Sequence, residues 1–251
     1  MRYFIEIAYK GTCYHGWQSQ PNSKTIQGVL ERNLSVLLKK EIIILGAGRT
    51  DTGVHATQFF AHFDVLEAID KSIFIYKMNS LLPNDIVVFG LQSVKNVAHT
   101  RFDALSRSYE YRIHLGRDPF QQETTWQFFN KKLDILLMNQ AANLLLETTN
   151  FKCFSKTRTD VKTFDCKVFN AVWEQQNKEV IFHITANRFL RNMVRAIVGT
   201  MIEVGTHKKS LQDFQQILNS KNRCLAGTSA PAKGLFLNKI IYPKDIFISD
   251  H

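Results

Sequence analysis

The chain has 251 residues, 45% of them hydrophobic and 22% charged, enough apolar material for one large core or two modest ones. With 19 Phe and 7 Tyr as well, that composition excludes an intrinsically disordered chain. Lys and Arg total 32 against 22 Asp and Glu, and the resulting +10 argues against an acidic or neutral surface of no electrostatic consequence.

Met1–Tyr9 alternates as a strand and lacks the apolar core of a signal peptide. A polar loop from Lys10 to Lys24 leads into a helix, with Thr25 as N-cap and Ile26, Val29, Leu30, Leu34, Leu37 and Leu38 at helical spacing. Ile42–Leu45 reads as a short buried strand, Gly46–His55 as a turn-rich loop and Thr57–Asp64 as a strand. Ser72–Leu82 is predicted helical, stopped by Pro83, and Ile86–Ser93 extended.

The second half repeats this order. Ser108–Leu115 alternates as a half-buried strand, and the spacing predicts a helix over Ile135–Glu147. Lys162–Glu174 and Glu179–Ala186 read as a hairpin closed by Gln176-Asn177-Lys178. Arg188–Glu203 and Ser210–Asn219 are predicted helices, the latter opened by Ser210 and Asp213 in capping-box spacing, and Leu235–Tyr242 closes as a strand. The expected class is α+β, with two related subdomains, 1–105 and 106–251, sharing mostly antiparallel sheet. Gly116–Lys132 is the expected crossover between them.

The positive charge is uneven. Residues 151–209 carry 11 basic and 5 acidic side chains, whereas residues 1–100 carry 10 and 8. A concentrated positive field suits a nucleic acid, because each phosphate neutralised releases counterions. Cys13, Cys153, Cys166 and Cys224 form no C-x-x-C pair, so a reducing, cytoplasmic compartment is expected. No zinc pattern is visible among the eight His, and no apolar run approaches membrane-spanning length.

The most informative stretch is Gly46-Ala-Gly-Arg-Thr-Asp-Thr-Gly-Val-His55. As a dinucleotide loop it fails, since Asp51 stands at the third glycine position and would face a pyrophosphate. As the Asp-Thr-Gly of an aspartic protease it lacks the second carboxylate, and Arg49 opposes a shared proton. What remains is either a plain turn between strands or an ionised Asp51 on a rigid loop, flanked by Gly48 and Gly53, with Arg49 and His55 offered to phosphate or base.

Gly48-Arg49-Thr50-Asp51-Thr52-Gly53-Val54-His55-Ala56 resembles the signature of the tRNA pseudouridine synthase A family, TruA. The similarity continues through Tyr9-Lys10-Gly11, Gly16-Trp17-Gln18, Thr25-Ile26-Gln27-Gly28 and Asn79 to Ile86. It resumes at Arg101-Phe102-Asp103-Ala104, Ser106 to Arg112, Asn187 to Arg195, and Ala230 to Leu235. Lys10 stands where the family usually carries an acid.

The resemblance implies the pseudouridine synthase fold with a central basic cleft, a homodimer, and uridines 38, 39 and 40 of the tRNA anticodon stem-loop as substrate. It implies an isomerisation that needs no cofactor, nucleotide or metal. It further implies Asp51 as nucleophile, Tyr109 as the active-site tyrosine that stacks on the flipped base, and Arg195 as the cation pairing with Asp51. Arg188, Arg191, Asn192, Arg195 and Gly199 share one face of the predicted helix; the resemblance, rather than the spacing, sets Arg195 apart and implies Arg188 and Arg191 as candidate phosphate contacts. The competing expectations are a non-catalytic tRNA-binding protein of the same fold and an Asp-dependent hydrolase of another polyanion.

Overall fold

The computed structural model describes residues 1–129, 132–157 and 161–248. Its contacts divide the chain into two units: Met1–Leu105 with the segment from Leu237 onward, and Ser106–Phe236.

The first unit opens with β1 (Arg2–Tyr9), α1 (Ile26–Leu38), β2 (Leu45–Gly46), β3 (His55–Asp64), α2 (Lys71–Leu81) and β4 (Ile86–Val94). β1 lies between β4 and β3 and runs antiparallel to both, with Phe4 opposite His62 and Ile5 opposite Ala61. Phe4, Ile5, Phe59 and Ala61 are completely buried, and Trp17 stacks on Phe59 at 4.1 Å. The helices begin where side chains satisfy their first free N–H groups: Thr25 Oγ1 accepts from Gly28 N at 3.2 Å, and Asp70 Oδ1 from Ile73 N at 3.0 Å.

The second unit contains β5 (Ser106–Leu115), β6 (Trp126–Phe128), α3 (Ile135–Glu147), β7 (Val168–Gln176), β8 (Glu179–Ala186), α4 (Met193–Gly205) and α5 (Leu211–Ser220). The order is β5-β8-β7, antiparallel throughout, with β6 added to β5 in parallel. A two-residue turn joins β7 to β8, with Asn177 left-handed at φ 55° as such a turn demands. α3 packs on β7, α4 and α5, and α5 opens with the reciprocal Ser210–Asp213 cap. The last strand, β9 (Leu235–Ile241), returns beside β3 and accepts a tie there: Ile240 N donates to Gln58 Oε1 at 2.9 Å. The architecture is thus mixed α/β with a largely antiparallel sheet and, among the described residues, five α-helices. None of those helices is long and apolar enough to cross a membrane.

Four local expectations change. Ile42–Leu45 is not a buried strand; Ile42 and Ile44 point inward, Ile43 and Leu45 outward, and only Leu45–Gly46 pairs. The strand predicted from Lys162 begins at Val168. α4 starts at Met193 rather than Arg188, because Asn192 adopts a left-handed backbone (φ 65°) that a continuous helix does not admit. Its amphipathic face also disappears, since every residue of α4 except Arg195 and Glu203 is buried. Arg188 and Arg191 therefore lie on the approach to the helix, and Gly199 lies inside the unit.

His62, on β3, carries a pH-dependent part of the stability. It is buried, its Nδ1 hydrogen-bonds with Thr100 Oγ1 at 2.8 Å, and its buried Nε2 has no hydrogen-bond partner among the described residues. Burial pushes its pKa down to about 4, helped by His99 and Arg2 and opposed by Asp64 and Asp103. The unfolded chain takes up that proton near the ordinary value of 6.5, so stability is full above this pH and declines as pH falls toward 4. The expected loss is about 2 kcal/mol between roughly pH 7 and pH 5. Urea midpoints of wild type and His62→Gln at both pH values check this, and the variant is expected to lose less.

Candidate active site

The loop between β2 and β3 is held by the segment that follows β1. Trp17 N donates to the Thr50 carbonyl at 3.2 Å, and Gly53 N to the Tyr14 carbonyl at 3.3 Å. Tyr9 OH shares a 2.9 Å hydrogen bond with Thr50 Oγ1, and Val54 N closes a turn onto the Asp51 carbonyl at 3.1 Å. These contacts bracket Asp51 on both sides, leaving it half-buried while Arg49 is exposed. Two glycines make the clasp possible. Gly16 sits at φ +84°, and a Cβ there would meet the Thr50 carbonyl oxygen at 2.4 Å; Gly53 sits at φ +76°. Gly48, expected to serve the same purpose, has no left-handed backbone and faces open space.

His55 is completely buried at the start of β3, and its Nδ1 accepts from Gly11 N at 3.0 Å. Accepting at Nδ1 places the proton of the neutral ring on Nε2. The imidazole thus ties the segment after β1 to the end of the Asp51 loop, and in this position it does not offer a nitrogen to phosphate. Tyr14 reinforces the same segment: its hydroxyl donates to Asp85 Oδ1 at 2.5 Å, and burial, together with that carboxylate, holds the phenol well above its ordinary range.

The other candidate residues belong to the second unit. Tyr109 lies on β5 opposite Ile184, half-buried, with its ring edge-on to Phe189 at 5.0 Å. Tyr111, two residues on, is completely buried and donates to the Pro231 carbonyl at 2.8 Å. Burial raises the Tyr111 phenol, and the positive charge of Arg195 opposes that rise. Of the two tyrosines on this face, only Tyr109 retains exposed surface for a ligand ring.

Arg195 is the only basic residue of α4. Its Nε donates to the Ala230 carbonyl at 2.7 Å, and Ala230 N donates back to the Arg195 carbonyl at 2.9 Å. Using Nε in this way fixes the plane of the guanidinium and aims its two terminal nitrogens. Arg188 is half-buried near Cys166, whose thiol burial pushes up to about 11 against the pull of that cation. Arg191 is exposed, and its carbonyl accepts from Lys156 N at 3.0 Å. The structure therefore groups Arg49, Asp51 and His55 on one loop, and places Arg195 with Tyr111 and the Ala230–Pro231 carbonyls. Sequence reasoning did not find the supporting Tyr9, Tyr14 and Thr50. The signal available for them was the glycine pair, Gly11 and Gly16, spaced to admit a second backbone.

Among the described residues no three His, Cys, Asp or Glu side chains converge as a metal-binding group. Residues 141–243 match a family model described as tRNA pseudouridine synthase. The chain is 49% identical over 248 residues to tRNA pseudouridine synthase A of Bacteroides fragilis, spanning 98% of both chains. It is 46% identical to the protein of that name in Bacteroides thetaiotaomicron, over 98% of this chain and 92% of the relative. It is 45% identical to that of Porphyromonas gingivalis, over 98% and 99%.

Proposed function

The chain belongs to the tRNA pseudouridine synthase A family, and on that premise we propose that it isomerises uridine to pseudouridine at positions 38, 39 and 40 of the tRNA anticodon stem-loop. It works in the cytoplasm as a homodimer. The observation that carries this is similarity over essentially the whole chain, the Asp51 loop included.

In the reaction the N1–C1′ bond of the uridine breaks, the uracil turns, and C5 bonds to C1′. The C5 proton leaves and N1 acquires one, so atoms and electrons balance without an outside oxidant or reductant. The base must leave the helical stack before either atom is reachable. Asp51 is the nucleophile, delivered by a loop whose main chain is already pinned, which reduces the ordering needed at the moment of reaction. Arg195 supplies the positive charge that favours the ionised carboxylate. Tyr109 stacks on the extruded uracil, and its hydroxyl assists departure of the C5 proton. Arg49, Arg188 and Arg191 contact phosphates, and His55 contributes by holding the loop. Recognition through RNA shape and phosphates accounts for acceptance of three adjacent positions.

Mapping pseudouridine in a tRNA transcript after incubation with the protein tests the assignment. Modification confined to 38–40 is expected; modification elsewhere, with these positions untouched, contradicts it.

Tyr109 gives a second test. Tyr109→Phe keeps the ring and loses the hydroxyl, so it should slow turnover with little change in affinity. Tyr109→Ala removes the stacking surface too, and tRNA binding is expected to weaken by about 1–3 kcal/mol. Equal tRNA affinity of wild type and Tyr109→Ala, measured by filter binding, would return Tyr109 to a packing role.

A further inference from the structure

Arg223 follows α5 and is half-buried, yet among the described residues it has no carboxylate partner. Its donors go to one short segment instead. Nη1 donates to the carbonyls of Ala226 (3.4 Å) and Gly227 (3.2 Å), and Nη2 donates to Ser229 Oγ at 3.0 Å. Ser229 Oγ also accepts from Asn192 Nδ2 at 2.6 Å, the residue that opens α4. Further along, Gly227 N donates to Thr200 Oγ1 at 2.9 Å. The segment lies flush against α4: a Cβ on Gly199 would stand 1.8 Å from the Thr228 carbonyl oxygen. Its far end is Ala230, whose carbonyl receives Arg195 Nε.

A cation partly withdrawn from water and not in contact with a carboxylate keeps its place by satisfying several acceptors at once, which a planar five-donor fork can do. Here the acceptors are those that fix the course of residues 226–230. We propose that Arg223 is a positioning residue for Arg195, setting the segment whose Ala230 carbonyl orients the Arg195 guanidinium. The inference rests on the function assigned above to Arg195, that of favouring the ionised Asp51. Arg223 touches neither RNA nor Asp51 in this scheme; it acts through Ser229, Gly227 and Ala230.

The test compares Arg223→Ala, Arg223→Lys and Ser229→Ala with wild type and Arg195→Ala. Single-turnover rates on an anticodon stem-loop RNA are measured, with RNA affinity at several salt concentrations and thermal melting for each protein. Arg223→Ala is expected to slow the chemical step by about tenfold to a hundredfold, as small misplacements of an oriented group do. Its RNA affinity and salt slope should stay at wild-type values, so that the loss falls on the chemical step alone. Ser229→Ala should show the same pattern with a smaller loss. Arg223→Lys keeps the charge without the fork, and its rate should fall between wild type and Arg223→Ala. If Arg223→Ala does not fold, the other two variants carry the comparison. Folded variants with the wild-type rate, or an Arg223→Lys rate no higher than that of Arg223→Ala, would overturn the proposal. So would weakened affinity with a shallower salt slope and unchanged chemistry, which would make Arg223 a phosphate contact. Undisturbed chemistry in Arg195→Ala itself would instead overturn the function assigned to Arg195.

Discussion

Asp51→Asn is expected to lower pseudouridine formation by ~10⁴-fold or more, the scale on which loss of an essential catalytic side chain is felt. The substitution is nearly isosteric and removes only the negative charge and its nucleophilic electron pair. The bonds that pin the loop, from Trp17, Gly53 and Val54, run through main-chain atoms and survive it. Folding and tRNA affinity should therefore remain close to wild type. Single-turnover assays on a tRNA transcript, with binding measured in parallel, separate the two effects. Substantial pseudouridine formation by the folded variant would remove Asp51 from the mechanism.

Arg195→Ala is the second large effect. It is expected to slow the chemical step by about 10²–10³-fold, comparable to losing one preorganised electrostatic contact at a reacting centre. Affinity for tRNA should change far less. Arg195→Lys should regain part of the rate, since it restores charge without the planar fork held at Ala230. Arg188→Ala and Arg191→Ala should behave in the opposite sense. Each is expected to weaken tRNA binding and reduce the salt slope by about one unit while leaving the chemical step intact. The contrast has a structural basis: Arg195 is on a buried helix and bonded to a carbonyl, whereas Arg191 is exposed ahead of it. If all three variants lose affinity alike with unaltered chemistry, the arginines form one phosphate-binding group and Arg195 has no catalytic share.

The elements most legible in the sequence are those whose ends are set by local chemistry. α3 spans Ile135–Glu147 as its periodicity implies, with Asp134 accepting from Leu137 N at 2.9 Å. α1 and α5 likewise begin at the Thr25 and Ser210 caps. The start of α4 was hidden because Phe189 and Leu190 continue its apolar pattern. Hydrophobic periodicity carries no trace of the left-handed turn at Asn192. Ile42–Leu45 misled for a related reason: an unbroken apolar run does not reveal that alternate residues face outward. At the site, the Asp51 loop was legible through its own nine-residue stretch. The residues that hold it were not. Tyr9 reaches Thr50 across 41 positions and Gly11 reaches His55 across 44, and such pairings arise only once β1 and β3 are side by side. Arg223 was hidden for another reason: its partners Ala226, Gly227 and Ser229 are close in sequence, but the segment they belong to takes its course only where it lies along α4.

Tritium release from tRNA transcribed with C5-labelled uridine tests the central claim most directly, because the C5 hydrogen leaves only if C5 becomes bonded to the ribose. The wild-type protein, with no metal or nucleotide added, is expected to release label in multiple turnovers up to the number of uridines at positions 38–40, while Asp51→Asn releases none. Tight, saturable binding of the same tRNA by wild-type protein without release of tritium would contradict the account and leave an RNA-binding protein in its place.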